Sequence, residues 1–215
     1  MNKLLRWLFF AAFIRPFLTI IMGLNVRNRS RLPESGPAIL VANHNSHLDT
    51  PVIISLFPHS LLPHLRPVAA QDYFFSTRFL KWFSTQIMGI IPIARIRSKE
   101  STGTDPLAPI SAALKNNDIV IFFPEGTRGR PEQMADFKSG IAILAQRHPE
   151  IPIVPIFLHG LGKALPRGEA LLVPFFLDVF VGEHLKWTGD KAEFLTALNE
   201  RFTALAEEGH IPDWT

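Results

Sequence analysis

Pro37-Ala38-Ile39-Leu40-Val41-Ala42 runs directly into Asn43-His44-Asn45-Ser46-His47-Leu48-Asp49, and these thirteen residues decide the fold. The first six are small and apolar, the pattern of a buried strand; the five-residue apolar run Ile119 to Phe123, with no polar alternation, reads as a central strand covered on both faces. Thr50-Pro51 and the apolar run Val52 to Phe57 then read as a helix, with Thr50 as N-cap and proline in the first turn. A strand feeding a helix through a short polar turn is where α/β proteins place their chemistry. His44 and Asp49 stand in that turn. A carboxylate that accepts the proton of one imidazole nitrogen fixes the tautomer and leaves the other nitrogen basic. The pair is a candidate general base and its orienting acid.

The pattern repeats downstream. Strands are expected at 67–70, 90–94, 119–123 and 153–158, with one or two more within 171–181. Helices are expected between them. Phe75, Phe79, Trp82, Phe83 and Ile87 fall at three- and four-residue steps over 74–88, and Gly89 stops that helix. This aromatic stripe reads as core by default, with the lining of an apolar-chain site as the alternative. Helices at 109–114, ending on Asn116-Asn117, and at 135–147 follow. Asp190 and Glu193 open a last helix as a capping box, with Phe194, Leu198, Phe202 and Leu205 on one stripe and Gly209 at its end. Alternating strands and helices give an α/β class with a largely parallel mixed sheet flanked by helices. At 215 residues the chain suits one such domain.

The N-terminus differs in composition. Lys3, Arg6, Arg15, Arg27, Arg29 and Arg31 precede the first acid, Glu34, while the total charge is only +3. The charge is too small for a nucleic-acid binder, and its concentration beside apolar residues suits an anionic lipid surface. The longest uncharged run, Pro16 to Val26, has 11 residues, against roughly 20 for a membrane-spanning helix. Two short helices broken at Pro16 are therefore expected to lie in the interface, with one tilted membrane span carrying a snorkelling arginine as the alternative. Arg6 and Arg15 would snorkel to headgroups while Trp7, Phe9, Phe10, Phe13 and Phe17 sink. The division is a membrane-interfacial helical segment at 1–26 and a catalytic α/β domain at 27–215. With no cysteine, disulfides, Cys-based zinc sites and a thiol nucleophile are excluded.

A second constellation follows the strand at 119–123: Phe123-Pro124-Glu125-Gly126-Thr127-Arg128. Glycine there admits close approach of a ligand to the backbone, and arginine grips phosphate bidentately. Lys138 and Arg95 lie near the ends of other elements. Three cations from three elements would form a phosphate pocket beside a general base.

Four blocks together resemble the glycerolipid acyltransferases, especially the 1-acylglycerol-3-phosphate (lysophosphatidic acid) acyltransferases. His44-x4-Asp49 looks like that family's first motif. Gly89-Ile90-Ile91-Pro92-Ile93-Ala94-Arg95 is similar to the second, Phe123 to Arg128 to the third, and Ile153-Val154-Pro155-Ile156 to the fourth. The resemblance implies His44 as base and Asp49 as its orienter. It implies acceptor-phosphate binding by Arg128 with Lys138 and Arg95, at a site shaped by Glu125, Gly126 and Thr127. The implied donor is acyl-CoA or an acyl-carrier protein, used as co-substrate with no bound cofactor. The implied partner is membrane lipid, at the cytoplasmic face of the inner or plasma membrane.

Other uses of these residues are weaker. His44 and His47 with one acid lack a third neutral ligand, so no metal is expected. Ser46 lacks the Gly-x-Ser-x-Gly elbow of a nucleophile and suits a turn or cap better. His159, at a strand end, reads as structural. An acyl ester or thioester hydrolase using the same pair, and a non-catalytic module binding anionic lipid, are the competing functions.

Overall fold

The computed structural model describes residues 2–71, 77–93, 105–127, 134–165, 173 and 175–209. Among the described residues, seven strands form one sheet. They are β1 (Asn25–Arg27), β2 (Ala38–Ala42), β3 (Leu65–Ala70), β4 (Ile91–Ile93), β5 (Ile119–Phe122), β6 (Ile153–His159) and β7 (Asp178–Val181). Their spatial order is β1-β7-β6-β2-β5-β3-β4. The five strands from β6 across to β4 are parallel, β7 is antiparallel to β6, and β1 is parallel to β7. The mixed, largely parallel α/β sheet expected from the pattern is present.

The first motif sits where it does because β2 is central. All five of its residues are buried, between β5 and β6, so its side chains meet core on both faces. One face packs under α1 (Lys3–Ile21) and α2 (Asp49–Ser55), through Phe10, Leu18, Ile53, Ile54 and Phe57. The other packs under α4 (Ala108–Lys115), α5 (Gly140–Arg147) and α7 (Lys191–Glu208); α3 (Arg78–Phe83) and α6 (Leu161–Ala164) are the remaining α-helices among the described residues. The cap of α7 forms as expected: the Asp190 carboxylate accepts from the backbone N–H groups of Ala192 and Glu193 at 2.8 and 3.0 Å. Phe194, Leu198, Phe202 and Leu205 are all buried. Asn117 takes the left-handed conformation after α4, with φ 58°.

Three boundaries move. Helix α2 starts at Asp49, so Thr50 lies inside it and caps nothing. The expected helix at 135–147 begins at Gly140 instead, leaving 134–138 irregular. Thr77 caps α3 by accepting from the Leu80 N–H, and wide π-helical turns at Ser84–Met88 carry it to Gly89, whose φ of 73° ends it.

The N-terminal segment departs most. It is one helix of 19 residues, long and apolar enough by length and composition to cross a bilayer, where two helices were expected. Proline lacks an N–H and its ring crowds the preceding turn. Here the turns on both sides, Phe9–Ile14 and Phe17–Ile21, widen to π-helical bonding and accommodate Pro16 without a break. The two arginines do not point outward. Arg6 is 1% exposed and donates to the Leu65 carbonyl at 3.0 Å, while Arg15 donates to the Phe57 carbonyl. Phe10 is buried against the core, while Trp7 and Phe13 remain exposed. Strand β1 straddles the expected division at 26/27 and fastens the segment to the sheet edge.

Candidate active site

His44 and Glu125 leave the carboxyl ends of adjacent strands, β2 and β5, so the two sequence motifs meet. The Glu125 side chain accepts the backbone N–H of His44 through Oε1 at 2.7 Å and that of Ala135 through Oε2 at 3.1 Å. It is 2% exposed. Burial pushes its carboxyl above the usual range, against the lowering effect of the two N–H donors. Glu125 thus reaches across 81 positions of sequence to hold the turn that carries the histidine.

His44 Nδ1 lies 2.8 Å from Asp49 Oδ2. The same oxygen accepts the backbone N–H groups of Asn45 and Ser46 at 2.7 and 2.9 Å. Asp49 is fully buried, and burial raises its pKa while the hydrogen bond from His44 opposes the rise. An oxygen taking two backbone donors is an acceptor, so Nδ1 carries the proton and Nε2 is the basic nitrogen. Phe123 stacks on the imidazole with centroids 4.2 Å apart, fixing the ring plane from the β5 side.

Asn43 holds the other side of the turn. Its amide donates to the Leu158 carbonyl at 2.9 Å, and its Oδ1 accepts the Leu158 N–H at 2.7 Å. A side-chain amide thereby continues the β2–β6 ladder one step beyond Ala42↔Ile156. The sequence placed Asn43 in the motif without a role. Ser46 is turned into the structure: its Oγ donates to the Leu165 carbonyl at 2.9 Å and accepts the Leu48 N–H at 3.2 Å. That is the turn-forming use, and it leaves the hydroxyl committed.

The residues expected to bind the acceptor are less evenly placed. Gly126 has φ 71°, and a Cβ there would lie 2.9 Å from Lys138 Nζ. Glycine therefore lets the lysine lie across this loop. Lys138 is exposed, and its backbone N–H donates to the Pro124 carbonyl at 3.0 Å. Thr127 is exposed beside it. Arg95 and Arg128 lie outside the described residues. Strand β4, which precedes Arg95, stands three strand spacings from β2, roughly 14 Å.

Fold and site define an α/β domain built to orient one histidine at the carboxyl edge of its sheet. The acyltransferase family model matches residues 23–159, so the chain belongs to the acyltransferase family. It is 31% identical over 196 residues to the chloroplastic 1-acyl-sn-glycerol-3-phosphate acyltransferase LPAT1 of Arabidopsis thaliana, a match covering 90% of this chain and 50% of that one. It is 27% identical over 184 residues to the 1-acyl-sn-glycerol-3-phosphate acyltransferase of Pseudomonas aeruginosa, covering 85% of this chain and 67% of that one. The chain spans about half the length of the plant relatives it matches. In fold it is similar to the 1-acyl-sn-glycerophosphate (LPA) acyltransferase PlsC of Thermotoga maritima. That likeness has a TM-score of 0.75 at 20% identity and covers 99% of this chain and 81% of that one.

Proposed function

We propose that this protein transfers a fatty acyl group from a thioester, acyl-CoA or acyl-carrier protein, to the free hydroxyl of 1-acylglycerol-3-phosphate, giving phosphatidic acid. The observation that carries the reading is the buried Asp49 carboxylate held 2.8 Å from His44 Nδ1 at the carboxyl edge of the sheet. The named relatives supply the acceptor class.

In this reading His44 Nε2 takes the acceptor hydroxyl proton as the oxygen attacks the thioester carbonyl carbon. The tetrahedral adduct collapses, the C–S bond breaks, and the sulfur leaves as a thiolate that takes the proton from His44. The products are an ester and a free thiol, and no cofactor is required. Thiolates leave readily, so one base serves the whole step. General-base help of this kind is worth about 10²–10⁴-fold, and holding the acceptor in place supplies further rate. Lys138, Arg128 and Arg95 are the candidate ligands of the acceptor phosphate. Glu125, whose two oxygens are taken by backbone donors, acts by shaping the loops on either side. Gly126 and Thr127 complete the acceptor side. The protein works at a membrane surface, on the cytoplasmic face, with the N-terminal segment toward lipid.

Thiol release from an acyl-CoA, measured with and without 1-acylglycerol-3-phosphate, tests the proposal. Release that depends on the acceptor, with phosphatidic acid as product, is expected. Release independent of the acceptor would make the protein a thioester hydrolase.

A further inference from the structure

We propose that α3 is a second membrane anchor, whose Phe79 and Trp82 enter an anionic glycerophospholipid surface beside the outer face of α1. This rests on the lipid-acceptor reading above. The stripe expected to be core is divided: Ile87 is buried and Phe83 half-buried, while Phe79 is 69% and Trp82 45% exposed, and Phe75 lies outside the described residues. The two exposed rings lie 6.1 Å apart, centroid to centroid.

Two features identify the occupant. The first is charge. Arg78 and Lys81 are exposed and alternate with the rings, and no acidic residue occurs from Thr77 to Ile93. Aromatic rings beside cations match the boundary between acyl chains and anionic headgroups. The second is continuity. Phe83 packs edge-to-face on Phe9 of α1 at 5.4 Å, which sets α3 alongside the helix whose Leu4, Leu8, Phe13, Ile20 and Ile21 are exposed. Apolar surface shared by two adjoining helices is what a peripheral membrane protein presents.

The strand registers set the position of this surface relative to the site. Helix α3 lies between β3, which ends at the catalytic edge, and β4, which is parallel to β3 and starts at the opposite edge. Phe79 is near the start of α3, on the catalytic side. Helix α1 leads to β1, whose Asn25 pairs with Asp178, itself opposite His159 at the carboxyl end of β6. Ile20 and Ile21 therefore also lie toward the catalytic edge. The two apolar helices flank the edge to which a lipid acceptor must come.

The test compares full-length wild type with Phe79→Ser/Trp82→Ser in flotation with phosphatidylcholine vesicles containing one-third phosphatidylglycerol. Partition is expected to fall by about tenfold or more in the double variant. Arg78→Gln is expected to lower the phosphatidylglycerol-dependent part by about fivefold. Transfer to a short-chain, monomeric acceptor should stay at the wild-type rate, which also reports intact folding. Unchanged flotation of the double variant overturns the proposal. So does a fall in solution mass from dimer to monomer, which would assign the face to a second copy. If no acceptor is acylated by wild type while flotation still depends on Phe79 and Trp82, the acyltransfer reading fails and the anchor stands.

Discussion

The two ends of α2 are finished by opposite chemistry. At its start a buried carboxylate, Asp49, gathers backbone N–H groups and the proton of His44. At its finish the carbonyls of Leu56 and Phe57, which have no partner within the helix, take the guanidinium groups of Arg29 and Arg15. Both ends pair a side-chain charge with backbone rather than with a counter-charge, and both suit the helix dipole. The difference is in what is left over. At the first end one ring nitrogen remains basic, and the surroundings are buried. At the second nothing reactive remains, and the arginines fasten the N-terminal segment to the domain. Identical physics thus builds a site at one end and an attachment at the other.

The comparison is sharpened most by removing the leftover nitrogen. His44→Ala should lower acyl transfer by about 10²–10⁴-fold while the protein still unfolds cooperatively in urea, because the Asn45 and Ser46 N–H groups remain on Asp49. Near-normal transfer by the purified variant would place the chemistry elsewhere.

Glu125→Ala comes next. It strands the N–H groups of His44 and Ala135 in a buried place, at a cost of about 2–4 kcal/mol, read from equilibrium urea unfolding. Glu125→Gln separates charge from geometry. Burial raises the folded-state pKa of Glu125. The stability due to its protonated form is therefore full below the unfolded value of about 4.3 and lost as pH rises through the folded value. Wild type should lose stability relative to Glu125→Gln from about pH 4 toward neutral. A relative gain over that range would mean that the N–H donors outweigh burial.

At the other end, Arg15→Ala/Arg29→Ala should cost about 1–2 kcal/mol, discounted because Arg15 is half-buried and Arg29 exposed. Transfer to a soluble acceptor should fall less than about tenfold, since the reactive end of α2 keeps its own bonds. A larger catalytic loss would show that the two ends act as one unit. Smallest of all, Ser46→Ala should leave transfer within about tenfold of wild type, because its hydroxyl holds a turn. Abolished activity with an intact fold would restore it as a nucleophile.

How far the sequence could be read depended on how local the cause was. The five-residue apolar run Ala38 to Ala42 and the Asp190 cap are local patterns, and both formed where expected. The His44–Asp49 contact spans five residues, so a turn brings the pair together. Arg6 misled. A cation in an apolar run looks the same whether it faces headgroups or a carbonyl 59 positions away. Phe79 and Trp82 misled in the opposite direction. Helical spacing shows which residues share a face and says nothing of what lies opposite.

By itself, the sequence determined the α/β alternation, the buried strand before His44, and the histidine–acid pair on the turn after it, because each follows from periodicity or from neighbours in the chain. Only the tertiary structure decided that Glu125 would hold His44, that Asn43 would extend a ladder with Leu158, and that five N-terminal arginines would donate to the domain's carbonyls. These pairings close distances of 27 to 181 positions. Buried backbone groups require partners, but which side chain supplies them is settled only when strands β2, β5 and β6 lie side by side.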